Sequence, residues 1–92
     1  MAKLLNNISS DQTGTTTKVI GPTTIFVEST SLGGGTVSIY ARREATTPGI
    51  LLGSYTENSV VNNTIIGKHF LYATLSGSTG ASGVTVSTSG PT

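Results

Sequence analysis

Thr36-Val37-Ser38-Ile39-Tyr40-Ala41-Arg42-Arg43 alternates polar or aromatic side chains with small or apolar ones as far as Arg42. Successive side chains of an extended strand point to opposite faces. Val37, Ile39 and Ala41 therefore share one face, and Thr36, Ser38, Tyr40 and Arg42 share the other. The first set reads as a core face. The same phase recurs on both sides of this stretch. In Thr23–Ser29, Ile25 and Val27 point inward, while Thr24, Phe26 and Glu28 point outward. In His69–Ser76, Leu71, Ala73 and Leu75 point inward, leaving Phe70, Tyr72 and Thr74 outside. Val84 and Val86 point inward from Gly83–Thr88. Thr16–Ile20, Ile50–Thr56 and Val60–Ile66 complete the β-branched runs, and no stretch keeps a 3.6-residue period. Gly21-Pro22, Gly33-Gly34-Gly35, Thr46-Thr47-Pro48-Gly49, Glu57-Asn58-Ser59, Gly67-Lys68 and the loop 77–83 separate them. These observations predict an all-β fold, a single antiparallel β-sandwich of about seven strands with essentially no helix.

Composition agrees. The 92 residues suffice for one domain. Seven Leu, seven Ile, seven Val and two Phe form the stock of large apolar side chains, against 17 Thr and 12 Ser. Charged residues are 10%, which excludes a helical bundle, a coiled coil and a charged tail. Residues 1–15 are mostly polar, with a small apolar knot of Leu4, Leu5 and Ile8. They read as a flexible N-terminal arm, followed by a sandwich domain over 16–88 and a frayed C-terminus over 89–92.

Five cations and four carboxylates leave a net charge of +1, and only Arg42 and Arg43 are adjacent. Phosphate-backbone binding needs clustered cations, so no nucleic-acid partner is expected. There is no cysteine, hence neither a disulfide nor a thiolate metal site. The start has no apolar run of signal-peptide length, and no stretch is long enough to span a bilayer, so no membrane partner is expected.

Catalytic chemistry has little material. One His (His69) and one Asp (Asp11) are the only partners for a triad, and no Gly-x-Ser-x-Gly elbow accompanies them. His69 reads as a structural or surface imidazole. Glu28, Glu44 and Glu57 fall on different strands and turns from Asp11, so neither paired carboxylates nor a metal-ligand spacing emerges. Gly33-Gly34-Gly35 precedes a strand rather than Lys-Ser/Thr and a helix, which makes it a hairpin turn and not a phosphate loop. No enzymatic activity, cofactor or metal is expected.

Four of the five aromatic residues, Phe26, Tyr40, Phe70 and Tyr72, fall on the face opposite the core set. Exposed apolar groups of this size mark an interface if they cluster; the alternative is that some strands are buried on both faces. Arg42 reads either as a solvated strand end or as one half of an intersubunit salt bridge. Leu4, Leu5 and Ile8 on the arm, with Phe26, Tyr40, Arg42, Phe70 and Tyr72, are the candidate interface residues.

Two segments resemble motifs of small β-rich structural proteins of tailed bacteriophages. Leu32-Gly33-Gly34-Gly35-Thr36-Val37-Ser38-Ile39-Tyr40-Ala41 is similar to their Gly-rich turn and strand. Phe70-Leu71-Tyr72-Ala73-Thr74-Leu75-Ser76-Gly77-Ser78-Thr79-Gly80-Ala81-Ser82-Gly83-Val84-Thr85-Val86 is similar to the segment that enters their last strand. The likeness spans roughly residues 13–88. It lacks the Trp that the family often carries between the motifs, where this chain has Arg43-Glu44-Ala45-Thr46-Thr47-Pro48-Gly49, and it lacks an Arg near Tyr72. The resemblance implies a virion component made in the host cytoplasm, a capsid decoration or cement protein bound to the major capsid protein. It also implies a homo-oligomer, with a trimer preferred. A neck, tail or fibre-associated component and a carbohydrate- or receptor-binding module are the alternatives.

Overall fold

Backbone hydrogen bonds pair the chain from its ends toward its middle. The computed structural model describes residues 2–89, which form nine strands and no helix. They are β1 (Ala2–Ile8), β2 (Gln12–Thr13), β3 (Thr17–Ile20), β4 (Thr23–Glu28), β5 (Thr36–Arg42), β6 (Ile50–Tyr55), β7 (Ser59–Asn63), β8 (Lys68–Ser76) and β9 (Val84–Ser89). β1 pairs with β9, β2 and β3 both pair with β8, β4 pairs with β7, and β5 pairs with β6, all antiparallel. These pairs nest around the loop 43–49 like one long hairpin. Two further pairings, β4 with β9 and β5 with β8, fold that hairpin into two sheets. The first sheet has the order β1-β9-β4-β7; the second has β2-β8-β5-β6, with β3 on the same side of β8 as β2. Counting β2 and β3 as one interrupted strand, this is the eight-position double-sheet arrangement of a jelly roll.

The inner faces carry the expected residues. Ile25, Val27, Val37, Ile39, Leu71, Ala73, Leu75, Val84 and Val86 are all buried in one cluster. Val19, Leu32, Val61 and Ala81 join them. The seven strands read from the sequence correspond to β3–β9, with boundaries that fall within a few residues; β1 and β2 lie in the segment read as an arm.

Leu4, Leu5 and Ile8 belong to the same cluster, which corrects the expectation of a flexible arm over residues 1–15. They sit on β1, whose register runs from Ala2 opposite Thr88 to Ile8 opposite Val84. Two register shifts break the alternation of β1 and allow the adjacent Leu4 and Leu5 both to be buried. Each such side chain contributes about 1.5–3 kcal/mol when removed from water. Pairing with β9 satisfies the backbone groups on that side of the strand at the same time. The segment that follows is tied as well: Gly14 donates its N–H to the Ala73 carbonyl at 2.8 Å. A Cβ at Gly14 would lie 1.7 Å from the Leu4 carbonyl oxygen, so this crossing requires glycine. Ser89, placed at the start of the frayed C-terminus, is the last residue of β9; residues 90–92 lie outside the described residues.

Gly33-Gly34-Gly35 is a tight turn but not a hairpin. Gly35 donates to the Leu32 carbonyl at 2.9 Å, and Gly33 and Gly34 take φ of 60° and 74°. Two consecutive positive φ values define a primed turn that β-carbon-bearing residues adopt only with strain. The strands on either side, β4 and β5, lie in different sheets, so the turn carries the chain across the sandwich. Its other support is the loop 77–83: Thr79 donates to the Gly33 carbonyl, and Ser31 bridges Ser82.

Candidate functional site

The outer face of the second sheet gathers three of the four outward aromatics. Tyr40 on β5 stands opposite Tyr72 on β8. Their rings stack with centroids 4.9 Å apart and planes 11° from parallel. One pair further along, Arg42 stands opposite Phe70. The Arg42 guanidinium carbon lies 4.5 Å from the centre of the Tyr72 ring, a cation–π contact. Arg42 Nη1 donates to the Ala45 carbonyl at 2.8 Å, which fixes the guanidinium over the ring, while its Nε is buried without a partner. Tyr72 also packs on the backbone of Gly49, where a Cβ would meet the phenol at 2.3 Å.

Residues that the sequence did not single out extend this face. Leu51 on the neighbouring β6 stands opposite Tyr40 and is 55% exposed. Lys18 stands opposite Phe70 on β3, and Ile20 stands opposite Lys68. Lys68 lies 6.0 Å from the Phe70 ring and 4.0 Å from the Glu44 carboxylate. At the end of the sandwich a groove of about 330 Å³ is lined by Arg43, Ile50, Leu51, Leu52, Ile65 and Lys68, among others. The only signal for it in the sequence is the unalternating run Ile50-Leu51-Leu52, which has one more apolar residue than a one-sided strand uses.

Two groups of interface candidates lie elsewhere. Phe26 is on β4 in the first sheet, opposite Val60 on β7 and Ser87 on β9. Its outward face is thus on the other side of the sandwich, and the four aromatics do not form one patch. Leu4, Leu5 and Ile8 are in the core and are not available to dock on a neighbour.

Nor are His69 and Asp11 brought together. His69 is the first inward-facing residue of β8, and Asp11 sits past the other end of that strand, against Gly77 and Ser78. His69 is 4% exposed and bonded within the core: its Nδ1 lies 2.9 Å from the Gly67 carbonyl, and its Nε2 lies 2.9 Å from Asn63 Nδ2. The carbonyl can only accept and the amide nitrogen only donate, so the ring carries its proton on Nδ1. Asn63 Nδ2 also donates to Thr23 Oγ1 at 3.1 Å, and Asn63 Oδ1 accepts from Ile65 N–H at 3.2 Å. At the other end, Asp11 accepts from the N–H groups of Gly77 and Ser78 at 2.9 and 3.0 Å, and from the Ser78 hydroxyl. The Ser78 hydroxyl, then the Ser78 N–H, and then the Gly77 N–H hold the Asp11 carboxyl below its usual value of 3.8. Both groups serve to tie the chain. Among the described residues, no three His, Asp or Glu side chains are grouped so as to hold a metal ion, and no helix is long and apolar enough to cross a membrane.

No family model, curated protein or solved structure matches the chain.

Proposed function

We propose that this protein is a structural component of a virion that decorates the capsid, docking on the major capsid protein through the outer face of its second sheet. The nested pairing of the strands carries this reading. It forms a jelly roll, an architecture that recurs in viral capsid and lectin domains. That is a fold-level analogy. It joins the resemblance of the Gly-rich turn and of the segment 70–86 to structural proteins of tailed phages.

The chemistry of the face favours a protein partner over a sugar. Sugar sites combine a free aromatic face with carboxylate or amide partners. Here the Tyr72 ring is already covered by Tyr40, by the Arg42 guanidinium and by Gly49. The Glu44 carboxylate beside this face is 4.0 Å from Lys68, and β3, β5, β6 and β8 themselves carry no Asp, Glu or Asn to bind sugar hydroxyls. Tyr and Arg set among aliphatic side chains are instead the composition of a protein–protein contact.

Co-sedimentation of the purified protein with particles that lack it tests the reading. Tyr40→Ala and Arg42→Glu are each expected to weaken binding by about tenfold or more, as at other interface anchors, with the circular dichroism spectrum unchanged. Undiminished binding by both folded variants would overturn the assignment of this face.

A further inference from the structure

The two sheets have four edges, and they are not equally protected. An exposed edge offers unpaired N–H and C=O groups to any extended chain, and natural edges are blunted by charge, irregularity or shortness. β1 carries Lys3, two register shifts and Asn7 at a φ of 52°. The β2–β3 edge is interrupted at residues 14–16 and carries Lys18. β7 has five residues, two of them asparagines, which fit strands poorly. β6 has no charged residue and no proline, and it exposes Ile50 by 74% and Leu51 by 55%. Its one irregularity is the extra residue Leu52, which twists the strand but adds no charge.

We propose that β6 pairs antiparallel with β6 of a second copy of this chain, joining the two second sheets into one continuous sheet about a twofold axis. Charge selects this occupant and this direction. β6 starts at the end of the sandwich that holds Arg42, Arg43 and Lys68. It leads at its other end into Thr56-Glu57-Asn58, where Glu57 is exposed. Antiparallel pairing therefore brings Glu57 of each copy to the basic end of the other, twice per dimer. Parallel pairing would set like-charged ends side by side. The local Lys68–Glu44 pair, at 4.0 Å with both side chains about half exposed, does not compete strongly for these cations. Pairing one edge with itself is isologous and closes at two copies, so it replaces the trimer that the family resemblance implied. It leaves the outer face of the second sheet around Tyr40 and Tyr72 free of the dimer contact and sets two such faces side by side. The inference does not rest on the virion reading.

Sedimentation equilibrium of the purified full chain tests it without particles. Over roughly micromolar to millimolar concentration the protein should pass from monomer to dimer, because an edge contact lies at the small end of stable interfaces. Leu51→Lys, at an exposed position, should raise the dissociation constant by about tenfold or more while leaving the melting temperature of the monomer unchanged. Arg43→Glu and Glu57→Arg should each weaken the dimer, and the two together should restore it. In hydrogen exchange, protection of the β6 amides should rise with protein concentration. A protein monomeric throughout that range, a trimer, a dimer indifferent to Leu51→Lys, or a charge-reversed pair weaker than either single variant would each overturn the proposal. So would a β6 edge that pairs only with a strand of another protein.

Discussion

Asn63 Nδ2 and His69 Nε2 lie 2.9 Å apart, and the bond between them crosses the sandwich from β7 in the first sheet to β8 in the second. Both side chains are buried in a core that is otherwise mainly aliphatic. Apolar contacts between the sheets tolerate sliding; a hydrogen bond with a fixed donor and acceptor does not. The pair therefore sets how the two sheets register at this end, where Thr23 and the Ile65 N–H complete the network.

Asn63→Leu removes the donor to His69 and the acceptor for Ile65 N–H together. Each buried group left without a partner costs about 1–3 kcal/mol. Urea denaturation should show a loss in that range or above it, larger than for an exchange at a buried aliphatic position on the same strand such as Val61→Leu. Equal losses would mean that the network adds nothing beyond filling space.

The N-terminal strand should be indispensable to the fold. Leu4 is 1% exposed, and its replacement by Ala should cost about 2–5 kcal/mol, as should Ile39→Ala on β5. Deletion of residues 2–12 removes all of β1 and should leave a chain without a cooperative thermal transition. A deletion variant that melts like the full chain would restore the picture of a dispensable arm.

Gly33 and Gly34 separate two effects that sequence alone merges. Both have positive φ, so alanine at either costs about 1–2 kcal/mol of backbone strain. Only at Gly33 would the new Cβ collide with its surroundings, 2.6 Å from the Thr79 carbonyl oxygen and 2.7 Å from the Ala81 nitrogen. At Gly34 nothing lies within 4 Å. Thermal melts should therefore rank Gly33→Ala well below Gly34→Ala. The reverse order would mean that the loop 77–83 is not packed on this turn.

Asp11 is expected to contribute to the acid limb of the stability curve. Its carboxyl is held below 3.8 in the folded chain by Ser78 and Gly77, so folding favours the ionised form. The contribution is present at pH values above the unfolded value and is lost as the pH falls through the lower, folded one. Melting temperature followed between about pH 6 and pH 2 should fall at the acid end, and Asp11→Asn should flatten that fall. An Asn variant with the same acid dependence would assign it to other carboxylates.

Much of this architecture is legible in the residues themselves. The period-2 phase of residues 36–43, 23–29 and 69–76 gives both the strands and their inner faces. β1 escapes such a reading because Leu4 and Leu5 are adjacent and both buried, which is possible only through register shifts that obey no period. Phase also tells which side of a strand faces the core but not which sheet the strand joins. Phe26 therefore looks equivalent to Tyr40 in the sequence, and in the fold it lies across the sandwich from it. The stacking of Tyr40 on Tyr72 and the exposure of Leu51 depend on the neighbours β5, β8 and β6, which no local pattern specifies.

The copy number of the protein in purified virions tests the proposed structural role on a capsid most directly. Quantitative mass spectrometry against the major capsid protein gives this ratio. Decoration of a lattice predicts copies in a fixed ratio that scales with the major capsid protein, because every equivalent lattice position is filled. A complement of a single ring would place the protein at a neck, tail or fibre instead, and its absence from the virion would rule out the proposed role altogether.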